Sequence, residues 1–323
     1  MVDTSITTSD HNSAPARASR SVSLASVIML AAVRAIGSLP FSLRSAFGGA
    51  VGNVVGRLPL REVRIARLQL EVFLPEVSAR AIAPKVFANF GRSILESFNL
   101  TPLLREPFPN IRCDDWERIV SWTKDKRPII ALTAHTGNWD LLAAYAIARG
   151  VPISTVGREA RNPDLQEVLK TLRRAYGIDT IWRSDRGGIK RIIECFKDRR
   201  VMAALIDQDT RVDSSFVPFF GTPAKTPSAL IELGKRCDAR FVTAFIVRVK
   251  GARFEIQAAE IDSSLPTLEL LAEYHRRLEA IIRHHPEQWV WFHKRWRTKE
   301  SGETLSTKSY LSMLSSKIDS SGR

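Results

Sequence analysis

Apolar side chains in the first hundred residues recur at helical spacing. Between Arg61 and Leu74 they fall at Val63, Ile65, Leu68, Val72 and Phe73, and Pro75 stops the run. Ser78 can then cap a helix reaching about Leu95, with Val86, Phe87, Phe90 and Ile94 on one face. Arg92 and Glu96, four apart on it, are placed to pair along its surface. Upstream, Ser21 to Leu43 carries one charge, Arg34, and Val22 to Val33 is apolar apart from two serines. Such a stretch suits a secretory signal behind Arg17 and Arg20, a short spanning helix interrupted at Gly37 and Pro40, or a buried helix. A membrane-seated helix is the reading taken, with Arg57, Arg61, Arg64 and Arg67 on the cytoplasmic side. Residues 1–20 are rich in Ser, Thr and Ala without apolar period, which predicts a disordered arm.

Beyond residue 100 the period changes. Pro128 to Ala134 is a short apolar run bounded by charge, as a buried parallel strand would be. Strands Ile153 to Val156, Thr180 to Trp182 and Val201 to Ile206 follow, separated by helices Pro163 to Tyr176 and Gly188 to Phe196. A long loop leads to a helix from about Pro227 to Cys237, strands Phe241 to Val249 and Phe254 to Ala258, and a helix from Leu268 to His284. This alternation predicts an α/β fold with a mostly parallel sheet flanked by helices. The short Lys250-Gly251-Ala252 connection makes the last two strands antiparallel.

A chain of 323 residues, 44% hydrophobic, can bury a sizeable core. Its 48 Lys and Arg against 34 Asp and Glu leave a formal charge of +14, which draws nucleic acid, acidic lipid head groups or an acidic carrier protein. Arg173, Arg174, Arg186, Lys190 and Arg191 are candidates for a rim that steers such a carrier. Cys113, Cys195 and Cys237 are odd in number and far apart, which points to buried thiols in a reducing compartment.

The chemistry concentrates in His135-Thr136-Gly137-Asn138-Trp139-Asp140, directly after a buried strand, where ligands of open α/β sheets gather. Thr136 or Asn138 can cap the next helix, leaving His135 in the turn and letting the Asp140 carboxylate reach back to one imidazole nitrogen. The free nitrogen could take a proton from a hydroxyl as it attacks a thioester. A histidine that merely caps a helix is the bland alternative; strand-end position and a nearby carboxylate favour catalysis. Asp207 and Asp209 after another strand would suit Mg²⁺, but transfer from a thioester needs neither metal nor cofactor, so they are read as positioning substrate. No Gly-x-Ser-x-Gly elbow offers a covalent nucleophile.

His-x-x-x-x-Asp after a strand resembles the signature of glycerolipid acyltransferases. Three more segments narrow the resemblance to the lipid A biosynthesis acyltransferases, the late lauroyl and myristoyl transferases: Asp207-Gln-Asp-Thr-Arg211, Phe216 to Ser228, and Pro286 to Trp296. Many members carry Glu where Asp140 stands. The resemblance implies that His135 and Asp140 are catalytic, and that Arg158 faces the site to hold a phosphate or stabilise an oxyanion. Asp207, Asp209 and Arg211 then occupy the place of an acceptor-binding motif, with Arg211 on a phosphate. It implies an acyl carrier protein as donor, a lipid A precursor or related anionic glycolipid as acceptor, and the cytoplasmic face of the inner membrane as location. Rival acceptors are a mannosylated inositol lipid or a lysophospholipid. A basic nucleic-acid-binding protein is the rival from another class, supported by the charge and by Trp289, Trp291, Phe292 and Trp296 among basic residues. Beside a catalytic motif those aromatics read instead as lipid-interface residues or a cover over the acyl pocket. The expected organisation is an arm at 1–20, a helical membrane-associating region at 21–100, the α/β acyltransferase domain at 101–300 and a polar tail at 301–323.

Overall fold

Two helices, not one, occupy the apolar N-terminal stretch. Pro40 takes an extended conformation and starts a second helix, so α1 (Leu24–Gly37) and α2 (Phe41–Val55) meet at 117°. The computed structural model describes residues 23–320 except Ser184 and Arg186; the predicted arm at 1–20 and Arg186 lie outside the described residues. Among these, no single helix is long and apolar enough to cross a membrane. Ile28 of α1 and Phe47 and Val54 of α2 are nonetheless about 60% exposed, at 60%, 59% and 60%.

The inner face of α2 is made of glycines. α3 (Arg61–Phe73) and α4 (Ala79–Ser97) follow, and α4 is N-capped by the Ser78 hydroxyl as its sequence predicts. Gly48 and Gly52 lie so close to α4 that a Cβ on either would collide with the backbone of Gly91 or Phe87. Arg44, 1% exposed, donates to the carbonyls of Leu39, Leu95, Glu96 and Asn99, tying α2 to the end of α4. Glu96 does not pair with Arg92 along the helix: it bonds Arg248 at 2.6 Å.

The remaining elements build the sheet and its covers. In chain order they are β1 (Ile111–Arg112), α5 (Trp116–Lys124), β2 (Ile129–Thr133), α6 (Trp139–Ala148), β3 (Ile153–Gly157), α7 (Pro163–Ala175), β4 (Asp179–Trp182), α8 (Gly188–Lys197) and β5 (Val201–Leu205). After them come β6 (Ser214–Phe219), β7 (Thr222–Pro227), α9 (Ala229–Arg236), β8 (Arg240–Lys250), β9 (Arg253–Ile261), α10 (Thr267–His284) and α11 (Thr307–Ser320). Seven strands lie in the order β1-β9-β8-β2-β5-β3-β4, parallel except for the β8–β9 hairpin. This is the mostly parallel, helix-flanked α/β sheet that the strand and helix alternation predicts.

One face of the sheet packs Ala131, Ile153 and Val242 against α5 and α6; the other packs Ile130, Leu132 and Met202 with residues of α3, α4, α10 and α11. Three predicted regions differ. The long loop after β5 contains the antiparallel hairpin β6–β7. The polar tail holds α11, whose Tyr310 and Leu314 are buried and whose Tyr310 hydroxyl donates to Gln69 at 2.7 Å. The tryptophans are core rather than interface: Trp289, Trp291 and Trp296 are 1%, 0% and 3% exposed, and Trp296 stacks on Phe73. Only Phe292 of that group is half-buried beside a cavity.

Candidate active site

The strand register decides which carboxylate meets His135. β2 and β5 are parallel neighbours with Thr133 opposite Leu205. Two residues beyond that pair the chain places His135 opposite Asp207. His135 Nδ1 lies 2.8 Å from Asp207 Oδ1, and the His135 backbone N–H donates to Oδ2 at 2.9 Å. The Trp289 indole N–H donates to the same Oδ2 at 2.9 Å. Burial alone would push the wholly buried Asp207 carboxyl up, but the His135 charge, its two N–H groups and the indole hold it at about 2. An ionised carboxylate only accepts, so Nδ1 carries a proton, and in the neutral ring Nε2 is then the nitrogen with the free lone pair.

Asp140 is therefore not the carboxylate on His135. It sits in the first turn of α6, bonded to Arg173 Nε at 3.2 Å. The reason is the helix: with Asn138 as N-cap, its side chain accepting from Leu141 N at 3.0 Å, Asp140 is already on the helix and turned toward α7. The turn itself needs Gly137. Its φ is +51°, its N–H donates to the Gln288 carbonyl at 3.0 Å, and a Cβ there would strike Ile246 O. Ser93 donates to the Gly137 carbonyl at 2.7 Å and fixes the other side.

Two cavities meet at His135. An apolar groove of about 590 Å³ runs between α1, α4, α6 and α7 and is lined by Val33, Ile36, Phe90, Ile94, Val168 and Leu172. A cationic chamber of about 470 Å³ is lined by Arg61, Arg158, Arg161, Arg183, Lys294 and Arg297. His135, Trp139 and Arg173 belong to both walls. Burial and the neighbouring Arg158 lower the Arg183 pKa, and burial with Arg297 and Arg61 nearby lowers that of Lys294. Such crowding of like charge suits an anionic ligand. His293 also faces the chamber, held neutral with a pKa of about 3 by burial and by Arg295, and its Nδ1 has no hydrogen-bond partner.

Arg158, just past β3, lies in the chamber wall at the sheet edge where its position after a strand predicts it. Asp209 is also in that wall, but its Oδ2 is occupied by the Thr298 N–H at 2.9 Å, with Arg297 at 3.7 Å. Arg211 is exposed and is not among the residues lining either cavity. Of the predicted carrier rim, Arg173 is bound to Asp140, Arg191 to Asp179 and Asp185, and Lys190 lies 3.9 Å from Glu194. Among the described residues no three His, Cys, Asp or Glu side chains gather as a metal cage would. Cys195 is buried, whereas Cys113 and Cys237 are half-buried.

Known proteins are similar to this chain in sequence. The family model of the bacterial lipid A biosynthesis acyltransferases matches residues 16–298. The lipid A biosynthesis acyltransferase 2 of Shigella flexneri is 26% identical over 286 residues, 85% of this chain and 90% of that protein. The lipid A biosynthesis myristoyltransferase of Escherichia coli K12 is 28% identical over 285 residues, 85% of this chain and 87% of that protein. A phosphatidylinositol mannoside acyltransferase of Mycobacterium tuberculosis is 22% identical over 165 residues, 50% of this chain and 52% of that protein.

Proposed function

The chain belongs to the bacterial lipid A biosynthesis acyltransferase family, and on that premise we propose that it moves a fatty-acyl chain from an acyl carrier protein thioester to a hydroxyl of a phosphorylated lipid A precursor. It is an acyltransferase; its donor, its acceptor and the roles of its residues are proposed. The observation that carries it is the place of His135 at the seam between an apolar groove and a cationic chamber. An acyl tail fits the first and an anionic head group the second, so thioester and hydroxyl meet at the imidazole.

His135 Nε2 takes the acceptor hydroxyl proton as the oxygen attacks the thioester carbon, and Asp207 steadies the imidazolium. The carbon–sulfur bond then breaks, and the proton leaves with the donor thiolate. Arg158 holds a phosphate or the oxyanion in the chamber. Asp140 contributes by fixing Arg173 between the two cavities, and Asp209 by holding Arg297 and the Thr298 backbone. Arg211, exposed, is assigned to phosphates at the surface. The exposed apolar faces of α1 and α2 seat the enzyme on the cytoplasmic face of the inner membrane.

Purified protein supplied with an acyl-acyl carrier protein and a lipid A precursor should add one acyl chain, seen as a single mass increment in the lipid. The matching coenzyme A thioester should be the poorer donor. No acylated lipid with either donor would reject the acceptor class, and a clear preference for coenzyme A would reject the donor. A mannosylated inositol lipid is the acceptor to run beside it, because the mycobacterial relative matches half of the chain.

A further inference from the structure

α4 turns a polar stripe, Ser93, Glu96 and Ser97, toward the turn that follows His135. Ser93 donates to the Gly137 carbonyl at 2.7 Å, and the Ser97 hydroxyl donates to Asn138 Oδ1 at 3.3 Å. Glu96 is fully buried; its carboxylate accepts from Arg248 at 2.6 and 2.7 Å, from Ser45 of α2 at 2.6 Å and, more loosely, from Asn138 at 3.4 Å. Arg248 stands near the end of β8, where its backbone N–H and carbonyl both bond the Gln288 side chain at 2.7 Å. The Gln288 carbonyl in turn accepts the Gly137 N–H at 3.0 Å.

A closed ring therefore runs from Glu96 through Arg248, Gln288, Gly137 and Asn138 back to Glu96. It meets the His135–Asp207 pair from both sides. Gly137 stands two residues beyond His135, and Gln288 directly precedes Trp289, whose indole holds Asp207. Glu96 itself lines neither the groove nor the chamber, so whatever it does for the site it does through Asn138 and Gln288.

A buried ion pair is a poor device for stability alone, because desolvation cancels most of its attraction and apolar residues of similar size often serve as well or better. Elsewhere the buried face of α4 is apolar, with Ala83, Val86 and Phe87. What a multiply bonded pair adds to such packing is direction, since hydrogen bonds fix angles as well as distances. We propose that Glu96, paired with Arg248, is a positioning residue that sets the turn so that His135 Nδ1 meets Asp207. The proposal rests on the acyl-transfer reading above.

Glu96→Leu with Arg248→Leu removes both charges and keeps the contact apolar, so the melting temperature should hold. The value of kcat should fall about 10- to 100-fold, as a misplacement of about 1 Å costs, while KM for donor and acceptor stays within about threefold. Ring-nitrogen NMR of histidine-labelled protein reads the displacement without turnover. The proton that Asp207 holds on Nδ1 in the wild type should be shared with Nε2 in the double variant, as in an Asp207→Asn control. Wild-type kcat in the double variant, or an unchanged His135 tautomer, would overturn the proposal. Should the double variant not fold, Ser45→Ala removes one bond to Glu96 from the α2 side. There a kcat about threefold lower with a shifted tautomer signal upholds the proposal, and an unshifted signal overturns it. A wild type that transfers no chain sinks the enzymatic reading alone, because the tautomer is read without substrate.

Discussion

On the proposed mechanism His135→Ala removes the base, and the acylation rate should fall about 10²-fold or more while the far-ultraviolet spectrum stays unchanged. The informative comparison is between the two acids. Asp207→Asn keeps the shape but loses the charge that fixes Nδ1–H and supports the imidazolium, so kcat should fall by on the order of 10² to 10⁴. Asp140→Asn loosens only the Arg173 contact, 3.2 Å and partly exposed, and should raise KM more than it lowers kcat. Steady-state kinetics of the two variants separates them; an Asp140→Asn enzyme as impaired in kcat as Asp207→Asn would reassign the dyad. Both acids are visible in the sequence. Their partners are not, because a spacing of five along the chain says less than a register across two strands.

At the scale of elements, α2 is held by close helix contact rather than by side-chain bulk. Gly52→Leu must push α2 away from the Phe87 carbonyl, and overpacking of this kind costs about 1–3 kcal/mol. A lower melting temperature is the expected readout, with an unchanged one refuting the contact. On the outer side of the same helix pair, Phe47→Glu with Val54→Glu adds charge to exposed positions that touch no core. Vesicle co-sedimentation should weaken while the melting temperature holds; full retention on vesicles would remove α1 and α2 from the membrane contact. Helical periodicity and the Ser78 cap made α3 and α4 legible. The break at Pro40 was visible too, yet the length of α2 was not, since a glycine-rich helix has no strong period and forms only against its neighbour.

For the whole molecule, one buried and one half-buried histidine set the acid response. His275 and His293 are each held near a pKa of about 3, first by burial and then by Arg295, against an ordinary value of 6.5. They are neutral in the folded protein and charge on unfolding, so their stabilisation is complete above about 6.5 and is lost progressively as pH falls toward about 3. The slope is up to about 1.4 kcal/mol per pH unit for each. Asp207 acts lower, losing its contribution only as pH falls from about 3.8 through about 2. Chemical denaturation across this range should show the decline, and His275→Gln should flatten it; an equal slope in that variant would place the acid sensitivity elsewhere.

What the sequence determined by itself is whatever a short window of side chains dictates. Apolar runs of strand length and helical spacing with caps predicted the mostly parallel α/β sheet and the β8–β9 hairpin, and the histidine at a strand end marked the site proposed here. The tertiary structure alone decided the rest, because each item depends on which distant segments become neighbours. Strand order brought Asp207 rather than Asp140 to His135. Packing turned Trp289, Trp291 and Trp296 into core and gave the tail a helix by offering Tyr310 a buried partner in Gln69. The two cavities that meet at His135 belong to no single segment: their walls come from α1, α3, α4, α6, α7, the β3 edge and the residues after α10, and only the closed fold sets an apolar wall against a cationic one.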